Sequence, residues 1–313
     1  MIKIEDIAYV RFGAPDLGRM RQFLLDFGML DAGPSSDGLL RMRGYGADPY
    51  IHVTEQGEPG FRGVGVRAAS LADLEKLAAA EGVSIEEIRA PGGGKKIRLV
   101  DPDGYEVDVI AGQQPAAVVP AASRPAWNAT GAHQRINAVK RVATGPAAVQ
   151  RLGHLVLSTT GDLNKMWTWW RDRFGLLISD EVYAPDGSFI AAFVRCDRGD
   201  VPTDHHTFNF GVMPGMGVSY HHAAFEVTDF DDVMAGHDYL LSRGHTLAWG
   251  VGRHTLGSQV FDYWEDPWGN RVEHWSDGDL FTADVPVNKT DLATMVKFQW
   301  GSPPPGDFVT RKQ

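Results

Sequence analysis

The 313-residue sequence contains a single cysteine, Cys196, and no apolar run that approaches the roughly 18 residues of a membrane-spanning helix. One cysteine forms no internal disulfide and supplies no Cys-x-x-Cys zinc motif, which indicates a reducing compartment. The first residues, MIKIEDIAYV, carry acids where a secretory signal has a basic segment followed by an apolar one. We therefore expect a cytoplasmic protein with no membrane partner.

The sequence also lacks any block of lysine and arginine. Its 30 basic and 40 acidic residues give a formal net charge of −10, which argues against nucleic acid or an anionic membrane surface as a partner. Charged residues make up 22% and aromatic residues 10% of the chain, a composition that argues against disorder. At about 150 residues per domain, the length predicts two domains with cores of their own.

Histidine is distributed unevenly along the chain. Imidazole is the commonest metal ligand and the side chain that titrates near neutral pH, so a cluster of histidines indicates where chemistry takes place. Nine of the eleven histidines lie between residues 151 and 275: His154, His205, His206, His221, His222, His237, His245, His254 and His274. The sequence therefore predicts that the functional site lies in the second half.

The composition also changes near residue 113. The segment that follows is rich in alanine and proline and shows no sustained period of 2 or 3.6 residues, which is typical of a connection between domains. We expect a first domain at residues 1–113, a connection at 114–150, a second domain at 151–280 and a C-terminal tail at 281–313 that lies on the body of the protein.

The two domains resemble each other in sequence. DPDGYEVDVI (101–110) and DPWGNRVEHW (266–275) share a Pro-Gly turn that leads into a strand, and residues 5–28 and 151–175 share a strand, an Asp N-cap and an amphipathic helix. A strand followed by a helix recurs once more in each half. The repeats predict an α+β fold of four βαβββ modules, paired into two open β-barrel domains.

Three residues of metal-ligand type fall on strands of the second half. Because side chains alternate along a strand, His154 lies opposite the apolar face of its strand, and His222 opposite that of its own. In the last strand, Glu273 points away from its neighbour His274. Two neutral imidazoles and one carboxylate, with the remaining positions open, form the facial triad of non-haem Fe(II) oxygenases.

The first half keeps the repeat without these ligands. Alignment on the caps and turns places Ala8 opposite His154, with one residue of freedom, and Gly63 opposite His222. Asp108 falls opposite Glu273. This contrast accounts for the uneven distribution of histidine, since only the second copy needs metal ligands.

The second half resembles the catalytic domain of the type I extradiol dioxygenases, which cleave catechols and belong to the vicinal-oxygen-chelate superfamily. The motifs that carry the resemblance are GHLVL (153–157), HHTFNFG (205–211), HHAAFEV (221–227), GRHT (252–255) and YWEDPWGNRVEHW (263–275). After GRHT, the chain reads Leu256-Gly257 where many relatives carry a polar Asn-Asp pair.

The resemblance implies an activity and a set of residues. It implies that His154, His222 and Glu273 bind Fe(II), with Mn(II) as the alternative ion, and that the chain cleaves a catechol with O2 to a muconic semialdehyde and forms a homo-oligomer. The further catalytic residues that it implies are His206, His254 and Tyr263. Two alternatives stay open: a glyoxalase-type metal-dependent isomerase and a non-catalytic ligand-binding protein of the same superfamily.

We expect the other histidines near these motifs to be structural. His205 and His221 each precede a predicted functional histidine, and alternation turns them to the opposite face. His274 is expected to point away from the site for the same reason. His237 and His245 fall on and after the last helix, where we expect them to face solvent.

Overall fold

A computed structural model describes residues 1–33, 37–121, 125–159, 162–213, 215–306 and 308. Two large β-sheets, each carrying two helices of ten or more residues, form the body of the protein. The α+β class and the paired modules predicted from the repeats are thus confirmed. In the described parts of the chain, no helix combines the length and the apolar character needed to cross a membrane.

The first sheet has eight strands in the order β2-β3-β4-β1-β5-β8-β7-β6. The first strands of the two modules, β1 and β5, pair antiparallel in its interior, and β2 and β6 form its open edges. Its elements are β1 (Ile4–Ala14), α1 (Leu17–Asp26), β2 (Leu30–Asp31), β3 (Leu40–Arg43), β4 (His52–Gln56), β5 (Gly60–Ala68), α2 (Leu71–Glu81), β6 (Glu86–Glu87), β7 (Lys95–Val100) and β8 (Glu106–Ala111).

The second sheet has ten strands in the order β21-β12-β13-β15-β11-β16-β19-β18-β17-β22. Here β11 and β16 pair antiparallel in the interior, as β1 and β5 do in the first sheet. Its modules contain β11 (Val149–Ser158), α3 (Leu163–Phe174), β12 (Leu177–Tyr183), β13 (Phe189–Arg195), β14 (Thr203–Asp204), β15 (Phe208–Gly211), β16 (Ser219–Val227), α4 (Phe230–Ser242), β17 (Thr246–His254), β18 (Val260–Glu265) and β19 (Arg271–Ser276).

The connection and the tail both contain regular structure. A short hairpin of β9 (Asn128–Ala129) and β10 (Ala132–His133) lies in the connection. The tail supplies β21 and β22 to the two edges of the second sheet, so it forms part of the sheet and does not only lie on its surface. Residues 307 and 309–313 of the tail lie outside the described part. The tail elements are β20 (Leu280–Phe281), β21 (Asn288–Asp291), α5 (Leu292–Met295) and β22 (Phe298–Gly301).

Helix α3 shows how the sequence directs one strand face toward the core. Asp162 caps the helix by accepting a hydrogen bond from the backbone N–H of Lys165, and Gly175 ends it in the left-handed conformation. Its buried stripe includes Trp170, which packs against Phe208 and Phe210 of the sheet. The apolar face of the neighbouring β11 joins the same core, so its other face, which carries His154, is left for a cavity.

Three histidines of the second half lie outside the site and have partners in the body of the protein. His274 points away from the site, as expected, and its Nε2 lies 2.7 Å from the carbonyl oxygen of Phe27. The prediction that His237 and His245 face solvent is wrong. His245 Nε2 lies 2.9 Å from Asp26 of the first half, and His237 Nδ1 lies 3.0 Å from buried Asp262. Both carboxylates hold histidines against the body, which helical periodicity alone does not reveal.

Candidate metal centre

The three predicted ligands lie on three neighbouring strands of the second sheet. His154 of β11 pairs with Ala224 of β16, and Ala224 pairs with Glu273 of β19. His154, Ala224 and Glu273 therefore form one row across the sheet. His222 lies two residues before Ala224 and therefore on the same face.

The potential ligand atoms form a nearly equilateral triangle. His154 Nε2 and His222 Nε2 are 3.4 Å apart, and they lie 3.3 Å and 3.2 Å from Glu273 Oε2. Ligands about 2.1 Å from an ion and near right angles to one another are separated by about 3 Å. The distances therefore fit three adjacent positions around one metal ion.

Unpartnered polar atoms at the same place also fit a cation. Glu273 is completely buried, and within the described part of the chain neither of its carboxylate oxygens accepts a hydrogen bond of regular geometry; Nδ1 of His154 has no partner there either. Burial alone would raise the pKa of Glu273, but the contacts with His154 and His222 outweigh it and hold the pKa well below its usual range. A buried carboxylate that keeps its charge is costly unless a cation or donors compensate it. The residues thus suit a metal ion.

The other nitrogen of His222 is held by its neighbour in the chain. His222 Nδ1 lies 2.6 Å from His221 Nδ1, and His221 Nε2 lies 3.2 Å from the carbonyl oxygen of Phe308. A histidine that binds a metal through Nε2 carries its proton on Nδ1, and a partner there fixes the ring. The expectation that His221 turns away from the site is therefore wrong: it contacts His222 and lines the cavity.

His254 and Tyr263 form a hydrogen-bonded pair beside this row. Tyr263 of β18 pairs with Glu273, and its hydroxyl lies 2.9 Å from Nε2 of His254 at the end of β17. Burial lowers the pKa of His254 to about 4, so its ring is neutral near pH 7. Burial also holds the pKa of Tyr263 well above 10, which keeps the hydroxyl protonated.

His206 lies on the opposite side of the ligand row, two residues before the start of β15. Its ring centroid is 4.2 Å from that of His154, and Phe193 packs edge-on against it. Burial, followed by the neighbouring histidines, lowers the pKa of His206 well below 6.5. A neutral imidazole has one donor and one acceptor nitrogen, so its hydrogen-bond partners decide which nitrogen carries the proton.

His205 also departs from the predicted orientation. It is buried, its Nδ1 lies 3.1 Å from His206 Nδ1, and its Nε2 lies 2.6 Å from Asp180 Oδ2. Alternation fails here because His205 and His206 precede the first residue of β15, where the period of two does not hold. The repeated His-His dipeptide indicated in the sequence that these neighbouring rings contact each other. Nothing in the sequence indicated that Asp180, 25 residues earlier, contacts His205.

These residues surround a cavity of about 150 Å³. It is lined by His154, His222, His206, His254 and Tyr263, and Glu273 contacts the first two. Among the described lining residues there is no lysine, arginine, aspartate or glutamate; most of the wall is apolar, including Val156, Ile190, Phe193, Val212, Leu256 and Phe308. The structure thus brings all six predicted residues together, and their individual roles stay predictions.

The equivalent place in the first sheet contains an internal ion pair. Gly65 pairs with Asp108 as Ala224 pairs with Glu273, and Tyr9 pairs with Gly65, so Tyr9 takes the place of His154. The sequence alignment had named Ala8 with one residue of freedom, and the register selects the next residue.

An arginine replaces the tyrosine of the second sheet. Arg98 pairs with Asp108 as Tyr263 pairs with Glu273, and its guanidinium donates to both carboxylate oxygens at 2.7 and 3.0 Å. The hydroxyl of Tyr9 donates to the same carboxylate at 3.0 Å. Arg98 and Tyr9 therefore compensate Asp108, whereas Glu273 lies against two imidazoles.

Sequence comparisons agree with this site. A model of the Glyoxalase/Bleomycin resistance protein/Dioxygenase superfamily matches residues 151–274. Metapyrocatechase 2 of Cupriavidus necator is 30% identical over 239 residues, which cover 76% of this chain and 70% of that protein. The chain belongs to the metapyrocatechase family. The resemblance inferred from the sequence motifs is thereby confirmed.

Solved structures share the fold of this family member. The Mn(II)-bound glyoxalase from Novosphingobium aromaticivorans has a TM-score of 0.78 at 23% identity, covering 97% of this chain and 94% of that chain. Homoprotocatechuate 2,3-dioxygenase from Brevibacterium fuscum, in complex with 3,4-dihydroxyphenylacetate, has a TM-score of 0.78 at 18% identity, covering 99% and 92%. At these identities the likeness concerns the fold alone, and the two neighbours differ in named activity.

Proposed function

We propose that this chain is an extradiol dioxygenase that cleaves a catechol ring beside its two hydroxyls and incorporates both atoms of O2. The observation that carries the proposal is the buried triangle of His154, His222 and Glu273 beside a cavity that also contains His206, His254 and Tyr263. Membership in the metapyrocatechase family supports the same reaction.

The ion that we propose for the triangle is Fe(II), with Mn(II) as the alternative. Two imidazoles and one carboxylate are the donors of non-haem Fe(II) oxygenases, and they leave positions free for other ligands. Such an ion would supply chelation of both hydroxyls, which lowers their pKa, and a position for O2. The neighbour with bound Mn(II) makes that ion the natural comparison in a loading experiment.

The remaining polar residues orient the substrate and handle protons. Tyr263 keeps its proton and is hydrogen-bonded to neutral His254, so the pair presents the phenol oxygen to one side of a bound catechol. His206 faces the other side and, being neutral, has one nitrogen available to accept a proton from a hydroxyl. The surrounding apolar side chains exclude water from both.

The cavity favours a small uncharged catechol. An apolar cavity of about 150 Å³ holds one benzene-sized ring in other proteins, and this cavity has that volume. A carboxylated catechol would need a cation, and the described lining residues provide none. We therefore expect catechol and short alkylcatechols to be better substrates than bicyclic or carboxylated ones.

We also propose a division of labour between domains. Residues 1–113 form a non-catalytic domain, in which an arginine compensates Asp108, and residues 151–280 form the catalytic one. The connection at 114–150, the tail at 281–313, the homo-oligomer and the cytoplasmic location stay predictions from the sequence.

Anaerobic loading with Fe(II) or Mn(II), followed by O2 and a panel of catechols, tests the proposal. We expect a yellow ring-cleavage product, and the reaction should consume one O2 per catechol cleaved. The His206→Phe variant should keep the metal and lose most turnover, whereas Glu273→Ala should lose the metal. Turnover of a hemithioacetal without O2 would favour the isomerase, and tight binding of catechol without cleavage would favour a ligand-binding protein.

A further inference from the structure

A continuous chain of buried polar groups lies behind His206. Asp180 Oδ2 contacts His205 Nε2 at 2.6 Å, and His205 Nδ1 contacts His206 Nδ1 at 3.1 Å. Asp180, His205 and His206 are each exposed by 4% or less. Of the three, only His206 lines the cavity, so the other two act through it.

The directions of these hydrogen bonds follow from the carboxylate. An ionised carboxylate only accepts, so His205 donates from Nε2. In a neutral imidazole, the other nitrogen is then an acceptor, and His205 Nδ1 accepts from His206 Nδ1–H. The nitrogen of His206 that remains without a proton is Nε2. A doubly protonated His205 would reverse the second bond and put the proton of His206 on Nε2.

The surroundings hold this chain in place from several elements. Asp180 on β12 accepts a second hydrogen bond, at 2.5 Å, from the side-chain amide of Asn288 on β21. The hydroxyl of Ser179 donates to the carbonyl oxygen of His205 at 2.5 Å. The neighbouring Gly257 has a φ of +77°, and a Cβ there would lie 3.1 Å from His205 Nδ1. The Leu256-Gly257 pair after the GRHT motif thus leaves space for the His205 ring.

We propose that Asp180 and His205 are positioning residues that hold His206 as the Nδ1–H tautomer, with the lone pair of Nε2 turned to the cavity. His206 then accepts a hydrogen bond from a ligand hydroxyl without first having to exchange its proton between nitrogens. In catalytic triads a carboxylate orients a catalytic imidazole directly. Here Asp180 orients His206 through the imidazole of His205. Its consequence for turnover rests on the proposed function; the tautomer itself does not.

Histidine-selective ¹⁵N NMR of the metal-free full-length protein measures the tautomer directly. The His206 signals are assigned by their absence in His206→Gln. We expect the proton on Nδ1 in the wild type and a mixture of tautomers in His205→Phe, which keeps a ring but removes the acceptor. His205→Asn, whose side-chain oxygen can take the place of Nδ1, should restore the wild-type state. Asp26→Asn, which removes the negative charge beside His245, should leave His206 unchanged.

Steady-state kinetics on catechol with loaded enzyme supplies the second readout. His205→Phe should lower kcat by about tenfold or more with little change in KM, and His205→Asn should recover most of it. A proton on Nε2 of His206 in the wild type, or the same tautomer in His205→Phe as in the wild type, would overturn the proposal. If the wild type cleaves no catechol, the proposed function fails while the NMR result still decides the tautomer.

Discussion

Replacement of Asp108 by asparagine should destabilise the first sheet by about 3 kcal/mol while leaving the metal centre intact. Asp108 is 2% exposed and accepts three hydrogen bonds, two from Arg98 and one from Tyr9. Asparagine has one acceptor oxygen, and its amide N–H groups would oppose the donors of Arg98. A hydrogen bond to a charged group contributes about 1.5–3 kcal/mol, against about 0.5–1.5 kcal/mol for a neutral one.

The magnitude follows from the lost charge and the lost acceptor. One charge-assisted bond disappears and the bond from Tyr9 becomes neutral, which together amounts to about 2.5–4.5 kcal/mol, while the remaining bond from Arg98 keeps the charge of its guanidinium. Arg98 is 35% exposed, so water compensates part of the loss, and the lower end of that range is the expected value. The equilibrium constant for local opening of β7 and β8 should then rise about 100-fold, since every 1.4 kcal/mol changes an equilibrium constant tenfold.

Hydrogen exchange of the metal-free protein, followed by mass spectrometry on peptides from residues 95–111, measures this opening. Glu106→Gln is the matched control, because Glu106 contacts Arg98 at 3.0 Å but is 38% exposed; we expect less than about 1 kcal/mol from it. Exchange in Asp108→Asn within threefold of the control would refute the reasoning. Metal content after Fe(II) loading should equal that of the wild type.

The same pair has a defined pH dependence. Burial alone would raise the pKa of Asp108, but the hydrogen bonds from Arg98 outweigh it and hold the pKa below the usual 3.8. A carboxyl whose pKa is depressed in the folded state stabilises the fold above the unfolded pKa and loses that contribution as pH falls through the folded value. The difference in stability between wild type and Asp108→Asn should therefore be constant near neutral pH and shrink below about pH 4.

Three further predictions concern the second domain. Glu273→Gln should bind Fe(II) far more weakly than the wild type, with an unchanged far-ultraviolet dichroism spectrum; a metal content equal to the wild type would remove Glu273 from the ligand set. Gly153→Ala should lower stability by about 1–3 kcal/mol and weaken metal binding, because its Cβ would lie 2.5 Å from the Trp275 ring that packs near His154; an unchanged melting temperature would contradict this. Cys196 is buried and burial raises the pKa of its thiol, so it should react with a disulfide reagent only after unfolding in urea, and rapid labelling of the native protein would show that the site is open.

Much of the metal centre followed from the period of a strand. Alternation of side chains predicts the faces of His154, His222 and Glu273 from local sequence, and the N-cap Asp162 with Gly175 delimits the helix that covers the opposite face. These features depend on residues a few positions apart, so their physical causes are contained in short segments of the chain.

The exact equivalence between the two halves required the sheet register. In the pairing of β1 with β5, the register shifts between Ile7 and Tyr9, and β11 with β16 has a shift at the corresponding place, between Leu152 and His154. An irregularity of this kind inserts one residue and moves the following side chains by one position. Because both sheets share this shift, it does not offset the two halves. Tyr9 lies seven residues before the N-cap Asp16, whereas His154 lies eight residues before the N-cap Asp162, so alignment on the caps placed the equivalent of His154 one residue away.

By itself, the sequence determined the modular α+β fold, the second half as the place of chemistry and the three side chains of metal-ligand type, because repeats and alternation are local patterns. Only the tertiary structure decided which partners those side chains have. Asp180 reaches His205 across 25 residues, and the carbonyl of Phe308 reaches His221 across 87. Packing of distant strands and of the tail brings these groups together, and no spacing along the chain encodes such contacts.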